Sequence, residues 1–156
     1  MRHGAGQMLP NSDYRDLFAE LNAAGARYLL VGAHALAFHG RPRFTKDLDV
    51  WVEATAENAP RVAAALLSFG APAEMVRRED FETPGLIVQL GVEPNRIDIT
   101  TVLDGLTFEE AWPGRVMTEY GDQRVPVIGL DDFARNKRST GRLRDLADLE
   151  DLGIET

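Results

Sequence analysis

The segment DLDVWVE at residues 47–53 has the alternating pattern of a half-buried strand, and this pattern limits the fold more than any other feature of the chain. Side chains two residues apart in a strand lie on the same face. The apolar face consists of Leu48, Val50 and Val52, and the other face of Asp47, Asp49 and Trp51. An apolar strand face needs a second layer to cover it. The segment therefore predicts one strand of a sheet that packs on a core.

Helical and strand patterns alternate along the rest of the chain. Apolar residues at helical spacing predict helices over residues 12–25, 33–40, 55–70 and 130–152, the last of which is two helices broken near Gly141. We expect Ser12 to cap the first helix and Thr55 to cap the third. Short apolar or alternating runs predict strands within residues 27–32, 85–91, 95–102 and 115–129. This order predicts an α+β sandwich, a mixed sheet with helices packed on it and a helical pair at the C-terminus.

The composition fits one globular domain, which we expect to span residues 12–156 after a flexible leader at residues 1–11. The formal net charge of −8 argues against a protein that coats nucleic acid through its overall field. Because the chain has no cysteine, disulfides, thiolate nucleophiles and cysteine metal sites are excluded. The first residues lack the apolar core of a signal peptide, and no run is long enough to span a membrane. We therefore expect a cytoplasmic protein without a membrane partner.

Two like charges side by side on one strand face require a cation. Asp47 and Asp49 resist joint ionisation unless positive charge lies close to them. A divalent ion that prefers oxygen ligands, Mg²⁺ or Mn²⁺, meets this need, and a third carboxylate would complete the site. Asp98 is the candidate because it lies in an alternating strand, on the side opposite Ile97 and Ile99. Three carboxylates around two such ions form the clamp used for in-line phosphoryl or nucleotidyl transfer.

A glycine turn precedes the aspartates. The strand predicted within residues 27–32 ends at Gly32, and a helix follows directly. The backbone N–H groups and the positive end of that helix suit a polyphosphate. His34, in the same helix, could reach a phosphate or could be an ordinary polar residue.

Taken together, these motifs resemble the nucleotidyltransferase superfamily related to DNA polymerase beta. Its pattern is a strand, a Gly-Gly or Gly-Ser turn that opens a short helix, an Asp-x-Asp on the next strand, and a third Asp later. In this chain the pattern reads LLVGAHAL, DLDV and RIDI. Residues 28–53 and 130–152 are similar to a small bacterial branch that includes the abortive-infection type toxin nucleotidyltransferases. The chain departs from the pattern at Ala33, where the superfamily usually has Gly or Ser.

The resemblance implies transfer of a nucleoside monophosphate from an NTP to a hydroxyl acceptor. It implies catalytic roles for Asp47, Asp49, Asp98 and Lys137, with the three aspartates as ligands of two Mg²⁺ ions, or of Mn²⁺. The residues that it implies for nucleotide binding are Gly32, Ala33, His34, Arg43, Thr45 and Asp145. Asp98 would also help to deprotonate the acceptor hydroxyl. Arg43 and Lys137 would supply positive charge to the triphosphate.

The acceptor stays open at the level of the sequence. A basic cluster at residues 135–144 could meet an RNA end such as the tRNA acceptor stem, which favours an RNA-modifying toxin and admits an antitoxin protein as partner. The net charge of −8 suits instead a small aminoglycoside- or lincosamide-like acceptor. A third interpretation is a catalytically silent domain that binds nucleotide or a partner protein, and the departure at Ala33 supports it.

Overall fold

A computed structural model describes residues 11–40, 47–92, 95–151 and 153 of the chain. Within the last helix, the side chains of residues 144, 145, 148 and 151 lie outside this description. Residues 1–10 also lie outside it, so the predicted leader stays a prediction. Among the described residues, no helix has the length and apolar character needed to cross a membrane.

Six strands form one mixed sheet. They are β1 (Tyr28–Val31), β2 (Leu48–Val52), β3 (Ile87–Leu90), β4 (Ile97–Thr100), β5 (Val116–Tyr120) and β6 (Gln123–Val127). Their order in the sheet is β3-β4-β2-β1-β6-β5. β2 pairs parallel with β4 and antiparallel with β1, while β1 pairs parallel with β6. Antiparallel partners, β3 beside β4 and β5 beside β6, complete the two sides.

The α-helices precede, connect and follow these strands. They are α1 (Ser12–Ala23), α2 (Gly32–Phe38), α3 (Ala59–Phe69), α4 (Phe108–Ala111), α5 (Leu130–Thr140) and α6 (Leu143–Asp151). α1 packs on α3 and β6, α2 packs on β1 and β2, and α5 packs on α6. Gly141, with a φ of +66°, separates α5 from α6 at the predicted break. The predicted α+β fold is confirmed.

Two predicted helix caps are wrong, by one and three residues. α1 is capped by Asn11 rather than by Ser12, because the Asn11 side chain accepts the N–H groups of Asp13 and Tyr14 at 2.8 and 3.2 Å. The Thr55 hydroxyl does accept the N–H of Asn58 at 3.1 Å, but α3 itself begins only at Ala59, with Asn58 in the cap position. Proline lacks an N–H donor and is tolerated only in the first helical turn, so Pro60 fixes the start of α3 just before itself.

The two faces of β2 separate as the alternation predicts, with one exception. Leu48, Val50 and Val52 are fully buried in the core. On the other face Asp49 is only partly buried, whereas Trp51 is 2% exposed and packs edge-on against Phe108, with 5.2 Å between ring centroids. Trp51 is therefore a core residue, and only the N-terminal end of β2 is accessible for chemistry.

Candidate active site

The strand register brings three carboxylates together at the N-terminal ends of β2 and β4. In the parallel pair β2–β4, Asp49 lies opposite Asp98, and Asp47 comes directly before the first residue of β2. Asp98 lies on the face of β4 opposite Ile97 and Ile99, which are buried. Three acidic side chains from two neighbouring strands therefore share one surface.

Arg96 joins two of these carboxylates. Its Nη2 donates to Asp47 Oδ2 at 3.1 Å and to Asp98 Oδ2 at 3.0 Å, and its Nε donates to Asp98 Oδ1 at 3.2 Å. The contact to Asp98 is bidentate, the strongest geometry for this pair of groups. Arg96 was not among the predicted site residues, although Arg-x-Asp in a strand places both side chains on one face.

Burial and the neighbouring negative charges disfavour the ionised form of the Asp49 carboxyl. Removal of the carboxyl from water raises its pKa to about 6, and the neighbouring charges of Asp98 and Asp47 act in the same direction. The positive charges of Lys137 and Arg96 oppose this shift. An additional cation would thus favour the charged form of Asp49.

Gly32 lies against the Asp49 carboxylate. Its φ is +70°, and a Cβ added to it would overlap Asp49 Oδ2. The contact follows from the sheet, because Val31 at the end of β1 is the register partner of Asp49. Only glycine meets both requirements here, a positive φ and room for the carboxylate.

The two residues after Gly32 differ from each other in their surroundings. Ala33 is partly buried in the first turn of α2. The Nε2 atom of His34 is buried, and the described residues offer it no hydrogen-bond partner. Burial lowers the pKa of His34, against the opposing effect of Asp47. The ring meets that of Tyr14 edge-on, with 5.5 Å between the ring centroids, so His34 packs against α1.

Lys137 comes from the far end of the chain to the same site. It lies in α5, where its Nζ is 5.3 Å from the centroid of the Phe133 ring, and its charge lowers the pKa of Asp49. By contrast Arg135, in the same basic cluster, pairs with Glu110 at 3.5 Å. The cluster at residues 135–144 is therefore divided, with one residue directed to the carboxylates and another to α4.

Three of the predicted nucleotide-binding residues lie outside the described part of the chain. Arg43 and Thr45 belong to residues 41–46, and the side chain of Asp145 in α6 is among those not described. Their predicted roles stay predictions.

The donors present fit an oxygen-preferring divalent ion in chemical type. Asp47, Asp49 and Asp98 offer carboxylate oxygens only, which Mg²⁺ and Mn²⁺ prefer. As they stand, no three His, Asp or Glu side chains among the described residues converge closely enough to hold a metal ion. Arg96 contacts two of the three carboxylates, Asp47 and Asp98.

Comparison with solved structures places this site in a known fold. The chain superimposes with a TM-score of 0.64 and 14% identity on a candidate nucleotidyltransferase from Thermotoga maritima, covering 95% of this chain and 96% of that chain. The chain has the nucleotidyltransferase fold. The lincosamide antibiotic adenylyltransferase LnuA, solved with lincomycin bound, gives a TM-score of 0.58 and 16% identity, with 96% of this chain and 100% of that chain covered.

A third structure, an antigenic nucleotidyltransferase-like protein from Paracoccidioides brasiliensis, gives a TM-score of 0.52 and 14% identity, covering 92% of this chain and 75% of that chain. At the level of sequence, no family model and no curated protein matches the chain. What the chain shares with these structures is the fold.

Proposed function

We propose that this protein transfers a nucleoside monophosphate from an NTP to a hydroxyl acceptor in a metal-dependent reaction. The observation that carries the proposal is the meeting of Asp47, Asp49 and Asp98 on neighbouring strands, beside Gly32, within a nucleotidyltransferase fold. Clustered carboxylates repel one another, so keeping three of them on one surface is costly unless they serve a cation.

Each residue has a distinct role in this proposal. Asp47, Asp49 and Asp98 hold Mg²⁺, which when bound neutralises charge on the attacking and leaving oxygens. Asp98 accepts the proton of the acceptor hydroxyl. The acceptor oxygen then forms a bond to the α phosphorus, and the bond from that phosphorus to the bridging oxygen breaks, which releases pyrophosphate.

The remaining residues bind the triphosphate. Lys137 and Arg43 supply positive charge to the triphosphate. The charge of Lys137 already acts on Asp49 in the structure. The Gly32 turn, with Ala33 and His34, contacts the β and γ phosphates. Thr45 and Asp145 complete the nucleotide contacts.

Two acceptors are candidates. An RNA end such as the tRNA acceptor stem fits the basic residues at 135–144 and would make the protein a toxin with an antitoxin partner. A small antibiotic fits the net charge of −8 and the similarity over the full length of LnuA, an adenylyltransferase whose structure holds lincomycin. The pairing of Arg135 with Glu110 removes one cation from the RNA surface and favours the small acceptor.

The test is transfer of label from α-labelled NTPs, one base at a time, with Mg²⁺, to total tRNA, to protein, and to a panel of lincosamides and aminoglycosides. The inactive variant is Asp47→Asn/Asp49→Asn. A matched control is Asp122→Asn, which changes a carboxylate that pairs with Arg15 and is not one of the proposed metal ligands. Label that the double variant loses and the control keeps supports the proposal, and the labelled acceptor selects between the two candidates. No transfer to any acceptor, with NTP still bound, would replace the enzyme by the silent binding domain.

A further inference from the structure

The Arg96 guanidinium contacts carboxylates that the proposed function assigns to Mg²⁺. It donates to Asp47 Oδ2 and to both oxygens of Asp98, and its charge also acts on Asp49. It thus interacts with all three of these carboxylates. A metal ion held by Asp47 and Asp98 would compete with Arg96 for their oxygens.

The backbone fixes this position. Arg96 directly precedes β4, two residues before Asp98, so both side chains lie on the same face of the strand. Its carbonyl accepts the N–H of Leu48 at 3.0 Å, which ties it to the first residue of β2 and so to neighbouring Asp47. The guanidinium therefore reaches both carboxylates from a rigid part of the sheet.

We propose that Arg96 is a positioning residue that acts as the resident cation of this carboxylate cluster, and that a divalent metal binds by displacing its guanidinium from Asp47 and Asp98. The inference rests on the proposed metal-dependent function. A carboxylate oxygen that donates its electron pair to a metal ion cannot keep the same hydrogen bond to a guanidinium. Arg96 holds the three carboxylates in place without metal and weakens metal binding by the cost of its displacement.

The experiment measures Mn²⁺ binding without nucleotide, by the electron paramagnetic resonance signal of free Mn²⁺. The variants are Arg96→Met, which removes the cation, and Arg96→Lys, which keeps the charge but cannot bind bidentately. The control is Arg15→Met, because Arg15 also bridges two carboxylates, Asp16 and Asp122, neither of which is a proposed metal ligand. If the Arg96 guanidinium competes with the metal ion, Arg96→Met should bind Mn²⁺ about tenfold tighter than wild type or more. Arg96→Lys should also bind Mn²⁺ clearly tighter than wild type. Arg15→Met should match wild type.

A second readout follows the guanidinium directly. In ¹⁵N-edited spectra the Nε–H resonance of Arg96, identified by its loss in Arg96→Lys, should move as Mg²⁺ binds, because its hydrogen bond to Asp98 breaks. This signal is independent of catalysis. A resonance that stays fixed while Mg²⁺ binds would show that the guanidinium is not displaced.

The outcomes separate this inference from the function on which it rests. If wild type binds Mn²⁺ and Arg96→Met binds it no tighter, competition is refuted while the metal site stands. If Arg96→Lys equals wild type, the effect is one of charge alone and displacement is refuted. If no variant binds Mn²⁺ at millimolar concentration, the proposed metal site fails, and this inference fails with it.

Discussion

Two arginines of this chain each bridge a pair of carboxylates, yet their surroundings differ. Arg15, in α1, contacts Asp16 at 3.0 Å and Asp122 at 2.7 Å on the surface. Arg96 contacts Asp47 and Asp98 at similar distances, beside the partly buried Asp49. The chemical groups are the same, but only the second cluster has a third carboxylate at van der Waals contact with a glycine turn.

The difference shows how burial changes the meaning of an ion pair. Around Arg15, hydrogen bonds lower the pKa of Asp122 to about 2, so the acid is stabilised in its charged form. Around Arg96, burial and repulsion raise the pKa of Asp49 to about 6. In the Arg15 cluster the charged form of Asp122 is favoured, whereas in the Arg96 cluster the charged form of Asp49 is disfavoured. A carboxyl group with a pKa raised in this way is typical of functional sites.

The largest expected effect is on nucleotidyl transfer, which should depend on the Arg96 cluster and not on the Arg15 cluster. Asp98→Asn should reduce nucleotidyl transfer about 10³-fold or more, because it removes the residue that we propose as both a metal ligand and the proton acceptor. Asp122→Asn, the matched change beside Arg15, should leave the rate as in wild type. Initial rates with saturating NTP and the labelled acceptor measure both. Equal loss in the two variants would remove the distinction between the clusters.

The next largest effect concerns Gly32, which packs against Asp49 of the Arg96 cluster. Gly32→Ala should lower the free energy of unfolding by about 4 kcal/mol, since the positive φ and the overlap with Asp49 both cost energy. The control is Gly25→Ala, whose φ of +69° is nearly the same but whose Cβ would meet no atom within 4 Å. It should lose only about 1 kcal/mol. Denaturant unfolding measures both, and equal losses would contradict the close packing on Asp49.

The pH dependence of stability should have opposite signs in the two clusters. Asp49 binds its proton more tightly in the folded state, so its contribution to stability falls as pH rises from its ordinary pKa of 3.8 to about 6. In chelator, Asp49→Asn should therefore be more stable than wild type at pH 7, by about 2 kcal/mol, and lose this advantage at pH 4.

The reverse holds for Asp122. Its pKa is lowered, so its stabilising effect is present above its ordinary pKa and is lost as pH falls through about 2. Asp122→Asn should consequently gain nothing at pH 7. Unfolding curves of the two variants and wild type at both pH values test the pair, and a pH-independent difference for Asp49→Asn would refute the assigned shift.

The smallest effect is that of each arginine on the stability of the metal-free protein. Arg96→Met should lower the free energy of unfolding by about 1–2 kcal/mol, because partly buried carboxylates lose their cation. Arg15→Met should be indistinguishable from wild type at high salt, where exposed ion pairs are screened. Thermal unfolding in chelator, at low and high salt, measures both. A larger loss for Arg15→Met would reverse the ranking of the clusters.

Much of the fold could be predicted from local patterns. The alternation in DLDVWVE predicted the burial of Leu48, Val50 and Val52, and glycines marked the ends of α3 and α5. Errors arose where two local signals compete. Ser12 and Thr55 are good caps, but Asn11 and the proline in the first turn of α3 decide the actual starts. Trp51 follows the alternation in direction, yet it is buried and packs against the Phe108 ring of α4.

The residue types of the site can be recognised in the amino-acid sequence: Gly32 after a strand, Asp47 and Asp49 two residues apart, and Asp98 on an alternating strand. A period of two is a local property, so it can be seen without knowing the neighbouring strands. The assembly of these residues depends on the folded chain, because the parallel pairing of β2 with β4 is non-local. That register puts Asp49 opposite Asp98, brings Arg96 between two carboxylates, and adds Lys137 from α5.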